Sequence, residues 1–195
     1  MRGLVIGPDF AMGHNREGDA KTLSSLGEEL EFSVRVVEPL LDRSGEAVRS
    51  TSIRRALAAG DVEIVETMLG RRFTLNGTVV EGEGRGGPLG FPTVNLQISD
   101  EMAVPANGIY AAWVQVGGER YMAATSIGVR PTFDDSGYAI EAYLLDFEGD
   151  LYGSDLSLEF VMRLREERKF NSAAALKEEV DRDVERTRQA LAIVD

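Results

Sequence analysis

The sequence has no cysteine in 195 residues, which excludes disulfides and thiolate metal sites and allows a reducing compartment. Histidine is nearly absent too. The single one, His14, can build neither a zinc site nor a catalytic triad and is read as an ordinary loop residue. Positive charge is scarce: 21 Lys and Arg stand against 33 Asp and Glu, a formal net charge of −12. That balance argues against nonspecific nucleic-acid binding and against anchoring to anionic membranes. A polyphosphate ligand would therefore need local help from an arginine or a divalent cation. No apolar run is long enough to cross a bilayer, and Met1-Arg-Gly-Leu-Val-Ile-Gly7 is too short for a signal peptide. A cytoplasmic location is expected. Internal repeats and low-complexity tracts are missing, as is any GxxxxGK[ST] loop, so kinase chemistry here would not be of the P-loop kind.

What is there begins with a hydrophobic share of 43%, that of a globular protein with a real core. Gly3–Gly7 reads as a buried strand, Asp19–Leu30 as a helix and Phe32–Val37 as a second strand. Ser50 or Ser52 caps a helix with Ile53, Ala56 and Leu57 on one face, ended by Gly60, and Asp61 starts a shorter one through Leu69. Strand and helix alternate as in an α/β sheet, but seventy residues give only a partial one. From Phe73 the pattern changes to short β-type runs: Phe73–Val80, Thr93–Ile98, Ile109–Val116, Tyr121–Ile127, Ala139–Asp146 and Leu156–Leu164. Six such strands with glycine-rich turns predict a closed or partly closed antiparallel barrel. Ser172 caps a last helix with Leu176, Val180, Val184, Thr187 and Leu191 on one stripe, which should lie across the barrel. The expected domains are 1–70, a partial α/β fragment, and 71–195, the mainly β barrel.

Chemistry concentrates in Gly82–Asn95, where five glycines and two prolines occur in fourteen residues. Such a stretch is loop, and its backbone can approach a phosphate chain closely. Arg85 is the one cation inside it. Thr93 and Asn95, two apart at a strand start, share a face, so a hydroxyl and an amide oxygen converge as hard ligands suited to Mg²⁺. Mid-strand, Glu141 shares a face with Tyr143 and Leu145, opposite Ile140, Ala142 and Leu144. It is either a solvated outer-face carboxylate or a general base for a substrate hydroxyl. Phe170, beside the charged run Arg165–Lys169, could be a stacking lid. Arg130 sits in a rigid Arg-Pro turn, for which a structural role is the simpler reading.

Taken together, Gly82-x-x-Arg85-Gly86, Leu89-Gly90-Phe91-Pro92-Thr93-x-Asn95, Gly108-Ile-Tyr110, Ser126-Ile-Gly128, Ile140-Glu141, Leu151-Tyr152-Gly153 and Arg165…Lys169-Phe170 resemble the riboflavin kinase family. The resemblance is to the C-terminal half of the bacterial bifunctional riboflavin kinase/FMN adenylyltransferase, and it covers about 125 residues in order and spacing. It implies a six-stranded Greek-key barrel that phosphorylates riboflavin to FMN with ATP and Mg²⁺. By that likeness Gly82, Arg85, Gly86, Gly90, Pro92 and Tyr152 bind nucleotide, and Thr93 and Asn95 hold the Mg²⁺. Glu141 accepts the proton of the ribityl 5′-hydroxyl, and Arg165 and Phe170 belong to a flap over the flavin. The phosphate and the alcohol are expected to meet inside the barrel. Gly87 and Glu81 depart from the family, which often has basic residues there, so Arg85 and the metal should carry more of the phosphate charge. Val5-Ile-Gly-Pro-Asp9-Phe10 and Ser50-Thr-Ser-Ile-Arg54 resemble later motifs of the adenylyltransferase domain, with Arg49 in place of its usual first serine. Its opening HxGH half has no counterpart in this sequence, so FAD synthesis is expected to be lost. Two alternatives stand beside the kinase: a non-catalytic flavin- or nucleotide-binding module, and a residual adenylyltransferase working with a partner chain. The sequence is silent on oligomeric state.

Overall fold

The computed structural model describes residues 2–42, 45–82, 90–129 and 138–193. These fall into two compact units, Met1–Arg49 and Ser50–Asp195.

In the first unit, β1 (Gly3–Ile6) and β4 (Ser33–Val36) pair in parallel from Gly3↔Ser33 to Ile6↔Val36. Parallel neighbours need a crossover, supplied by α1 (Ala20–Glu29), whose first turn is capped by Asp19 accepting from the Thr22 N–H at 2.8 Å. Between them lie the two-residue strands β2 (Ala11–Met12) and β3 (Gly18–Asp19). Gly27 lets helix meet chain: a Cβ there would lie 2.6 Å from the Phe32 carbonyl oxygen. Two strands bury little, and Val5, Leu30, Leu40 and Leu41 stay exposed.

The second unit opens with α2 (Ser50–Ala59) and α3 (Val62–Leu69), then runs through β5 (Phe73–Val80), β6 (Val94–Gln97), β7 (Gly108–Val116), β8 (Glu119–Val129), β9 (Tyr138–Leu144), β10 (Asp155–Arg165) and α4 (Ala173–Ala192). The six strands form a closed barrel in the order β10-β5-β6-β9-β8-β7, every pair antiparallel. Neither β6 and β7 nor β9 and β10 are neighbours, which is the Greek-key crossing the resemblance implies. Leu75, Leu96, Tyr110, Ile127, Ile140, Leu144, Leu158 and Phe160 fill the interior.

The units divide twenty residues before the change of pattern in the sequence. The reason is packing. Val62 of α3 belongs to the barrel core, and Ala56, Leu57 and Val65 form a small cluster against Phe73. Gly60 turns between the two helices at φ +83°, where a Cβ would come within 2.9 Å of the Tyr110 hydroxyl and 2.8 Å of the Arg163 Cδ.

Ser172 caps α4 by accepting from the Ala175 N–H at 3.1 Å. The helix lies on the outer faces of β7, β8 and β10, where Ala190 and Leu191 meet Ala111, Trp113 and Val161. Its earlier turns differ from the expected apolar stripe. Glu179 and Asp183, outside the stripe, are the buried positions there, and Leu176, Val180 and Val184 are only half-buried, whereas Thr187 and Leu191 of the stripe are buried.

Candidate active site

Period-two alternation decides the geometry. Ile140, Ala142 and Leu144 belong to the barrel interior, so Glu141 and Tyr143 point outward. On β6 the same rule sends Val94 and Leu96 inward and Asn95 outward. Glu141 lies opposite Asn95 on one side and Ser126 on the other. This corrects the expectation that phosphate and alcohol meet inside the barrel. The interior is filled with apolar side chains, and the polar set is on the outer wall. The carboxylate nevertheless stays with the pair that the sequence put beside it: the Thr93 hydroxyl donates to Glu141 Oε2 at 3.4 Å. Glu141 is half-buried and Asn95 buried.

Gly82 follows β5 and supports this pair by its missing side chain. A Cβ at Gly82 would fall 1.8 Å from Asn95 Nδ2 and 2.4 Å from its Cγ, so the amide packs directly on the backbone. Gly90 has φ +89° with nothing within 4 Å of a Cβ, so glycine is favoured there by conformation and not by space. Gly82, Pro92, Thr93, Asn95 and Tyr152 line one cleft of about 250 Å³ together with Phe147. Tyr152 is 65% exposed. Its N–H donates to Asp150 Oδ1 at 2.9 Å. Arg85 and Gly86, and Arg130 of the turn, lie outside the described residues.

Beside the carboxylate, Phe91 meets Tyr143 edge to face at 5.3 Å, and Lys177 of α4 holds its ammonium 4.9 Å from the Phe91 ring. Phe91 entered the sequence reading only as a member of the Leu89–Asn95 motif, without a role, and Lys177 did not enter it, since a lysine on a helix has no distinctive pattern. Arg165 and Phe170 do not reach this cleft. Arg165 is bound to Asp183 of α4, Nε to Oδ1 at 3.0 Å and Nη2 to Oδ2 at 2.6 Å, with its guanidinium 5.8 Å from the Phe170 ring.

The chemistry open to such a set is limited and specific. Glu141 offers a proton acceptor, while Thr93 and Asn95 offer neutral oxygens. Among the described residues no group of three or more His, Cys, Asp or Glu is placed to hold a metal ion. A cation bound here must bring most of its ligands with it, as Mg²⁺ does on a nucleotide. In the first unit, His14 is exposed in a single 3₁₀ turn. Nearby, Arg49 pairs with Asp9 at 2.7 Å, and that hydrogen bond holds the Asp9 carboxyl below its ordinary range.

Comparison with known proteins gives the family. The family described as riboflavin kinase matches residues 69–191, and the FAD synthetase family matches residues 1–52. The bifunctional riboflavin kinase/FMN adenylyltransferase of Pseudomonas fluorescens is 40% identical over 182 residues, 93% of this chain and 58% of that protein. Its namesake in Listeria monocytogenes is 34% identical over 186 residues, 95% of this chain and 59% of the relative. The crystal structure of a macrolide-efflux protein from Streptococcus pneumoniae superposes with a TM-score of 0.82 at 32% identity, covering 94% of this chain and 60% of that one. The chain thus spans less than two thirds of the length of each. Among the described residues no helix is long and apolar enough to cross a membrane.

Proposed function

The chain belongs to the riboflavin kinase family, and from that premise we propose that it transfers the γ-phosphoryl group of ATP to the ribityl 5′-hydroxyl of riboflavin, giving FMN and ADP. The observation that carries the reading is the pairing of Thr93 with Glu141 on the outer wall, where Thr93 lines a cleft together with Gly82. Glu141 takes the hydroxyl proton as the 5′-oxygen bonds to the γ-phosphorus and the bridging P–O bond to ADP breaks. Transfer of this kind depends chiefly on positioning and on neutralising charge, so one base beside a phosphate cradle is a sufficient set. Thr93 and Asn95 supply hard oxygens that fit Mg²⁺, which when bound would neutralise phosphate charge in an otherwise acidic protein. In this reading Gly82, Gly90, Pro92 and Tyr152 form the nucleotide side of the site, and by the family likeness Arg85 and Gly86 would bind the nucleotide with them.

The test is direct. Purified protein is incubated with riboflavin and MgATP, and the flavins are separated by chromatography. FMN and stoichiometric ADP are the expected products. Tight quenching of riboflavin fluorescence without ADP would instead mark a binding module, and FAD in the chromatogram would mark adenylyl transfer.

A further inference from the structure

Glu179 and Asp183 stand one turn apart on the barrel-facing side of α4, and both side chains are 4% exposed. Buried carboxylates demand partners. Theirs come from two directions: Arg182 and Arg186 from the helix itself, Arg165 and Arg168 from the chain leaving β10. Asp183 takes the Arg165 fork, and Glu179 lies 3.5 Å from the Arg165 Nε, 2.9 Å from Arg182 Nη1 and in an ion pair with Arg168. The segment 166–172 between β10 and α4 is thereby tied at Arg165 and Arg168, and both guanidinium groups lie over the Phe170 ring, at 5.8 and 5.0 Å.

The other side of this segment rests on the wall that carries Glu141. A Cβ at Gly128 would lie 3.1 Å from Glu167 Oε1, so Glu167 sits on the outer face of β8. Gly128 is two residues from Ser126, on the same face, and Ser126 is the partner of Glu141. The cleft with Gly82 and Tyr152 opens on the β5–β6 side of the Thr93–Glu141 pair; the segment stands on the β8 side. In-line transfer puts donor and acceptor on opposite sides of the moving phosphoryl group, which leaves the β8 side for the acceptor alcohol.

We propose that Glu179 and Asp183 are positioning residues for the acceptor: by holding Arg165 and Arg168 they fix segment 166–172, with Glu167 and Phe170, beside the place where riboflavin must bind. The inference rests on the kinase reading above. Neither acid reaches the reacting atoms. Their effect is to arrange the acceptor side before the substrate arrives, so its loss falls on riboflavin and spares the nucleotide.

Steady-state kinetics of the full chain test this, with both substrates varied. Glu179→Gln keeps the side-chain volume and removes the charge. It should raise the riboflavin KM about tenfold, and Arg168→Gln about threefold, with the ATP KM and kcat within about twofold of wild type. Leu191→Ala loosens the same helix at its other end and measures what destabilisation alone does; both KM values should hold while the melting temperature falls. Should Glu179→Gln fail to fold, Arg168→Gln decides, because that side chain is half exposed. A riboflavin KM unchanged in the folded variants overturns the proposal. So does a rise shared equally by ATP or reproduced by Leu191→Ala. If the wild type binds riboflavin but makes no FMN, the kinase reading fails by itself, and dissociation constants from fluorescence quenching take over: weaker binding in Glu179→Gln sustains the positioning role, equal binding ends it. A wild type that leaves riboflavin fluorescence unquenched overturns both.

Discussion

Two walls of one barrel face outward here, and they are built differently. Over β7, β8 and β10 the outer face carries an apolar cluster, Ala111, Trp113, Met122 and Val161, and α4 covers it with Ala190 and Leu191. Over β6 and β9 the outer side chains are Asn95, Glu141 and Tyr143, joined by Thr93, and a cleft opens beside them. Both walls hang on the same interior of Leu75, Ile127, Ile140 and Phe160. Closure alone satisfies the strand edges and fills the core, so an outer face is released from stability and can be spent on a helix or on a site. The apolar contact of the covered wall, Ala190 and Leu191 on Ala111, Trp113 and Val161, therefore holds stability that activity does not use, and the polar wall holds chemistry that stability does not need.

That division can be broken by single substitutions. Glu141→Gln on the polar wall should lower kcat by about 10²–10⁴-fold, the usual worth of a general base, with the urea midpoint unchanged. A comparable rate in that variant would leave the base assignment without support. On the covered wall, Leu191→Ala should cost about 3 kcal/mol of unfolding free energy, as buried leucine truncations do. Its initial rates at a temperature where it is folded should match wild type. If both variants lost rate and stability together, the two walls would be one cooperative object and the comparison would fail.

Much of this was written in the chain. Each barrel strand lies within two residues of its sequence run, because β-branched stretches between glycine turns have few other options. The pairing of Thr93 and Asn95 with Glu141 also follows, through motif order. Which side of the wall they occupy was carried by alternation: Ile140, Ala142 and Leu144 are the core face, and an acid between them faces out. The buried acids of α4 were hidden for a physical reason. Glu179 and Asp183 lie off the apolar stripe of the sequence, and half of their partners, Arg165 and Arg168, come from outside the helix. Only the fold brings those charges together. The packing of α2 and α3 onto the barrel was hidden likewise, because Val62 and Val65 look the same whichever unit they join.

A smaller effect sharpens the contrast on the polar wall. Gly82→Ala would press a methyl group onto the Asn95 amide, 1.8 Å from its Nδ2 in the present arrangement. Either the strand end or the amide must move. The expected result is an ATP KM raised about tenfold with riboflavin binding kept, since a displacement near 1 Å of a positioned group costs at least that much. The readout is paired titration of the two substrates.

The smallest effect concerns charge on the covered wall, and acid reveals it. Burial opposes the ionised form of Glu179, but Arg182, Arg168 and Arg165 favour it more strongly, and the carboxyl titrates below its ordinary 4.5. In the unfolded chain those arginines are gone, so the unfolded state takes up the proton first as pH falls. The stabilisation from this group is thus complete above about pH 4.5, and it drains away as pH drops toward the lower folded value. Urea unfolding at about pH 6 and about pH 3.5 should show wild type and Glu179→Gln further apart at the higher pH and closer at the lower. A gap that stayed constant would mean the arginines gain nothing from this carboxylate's charge.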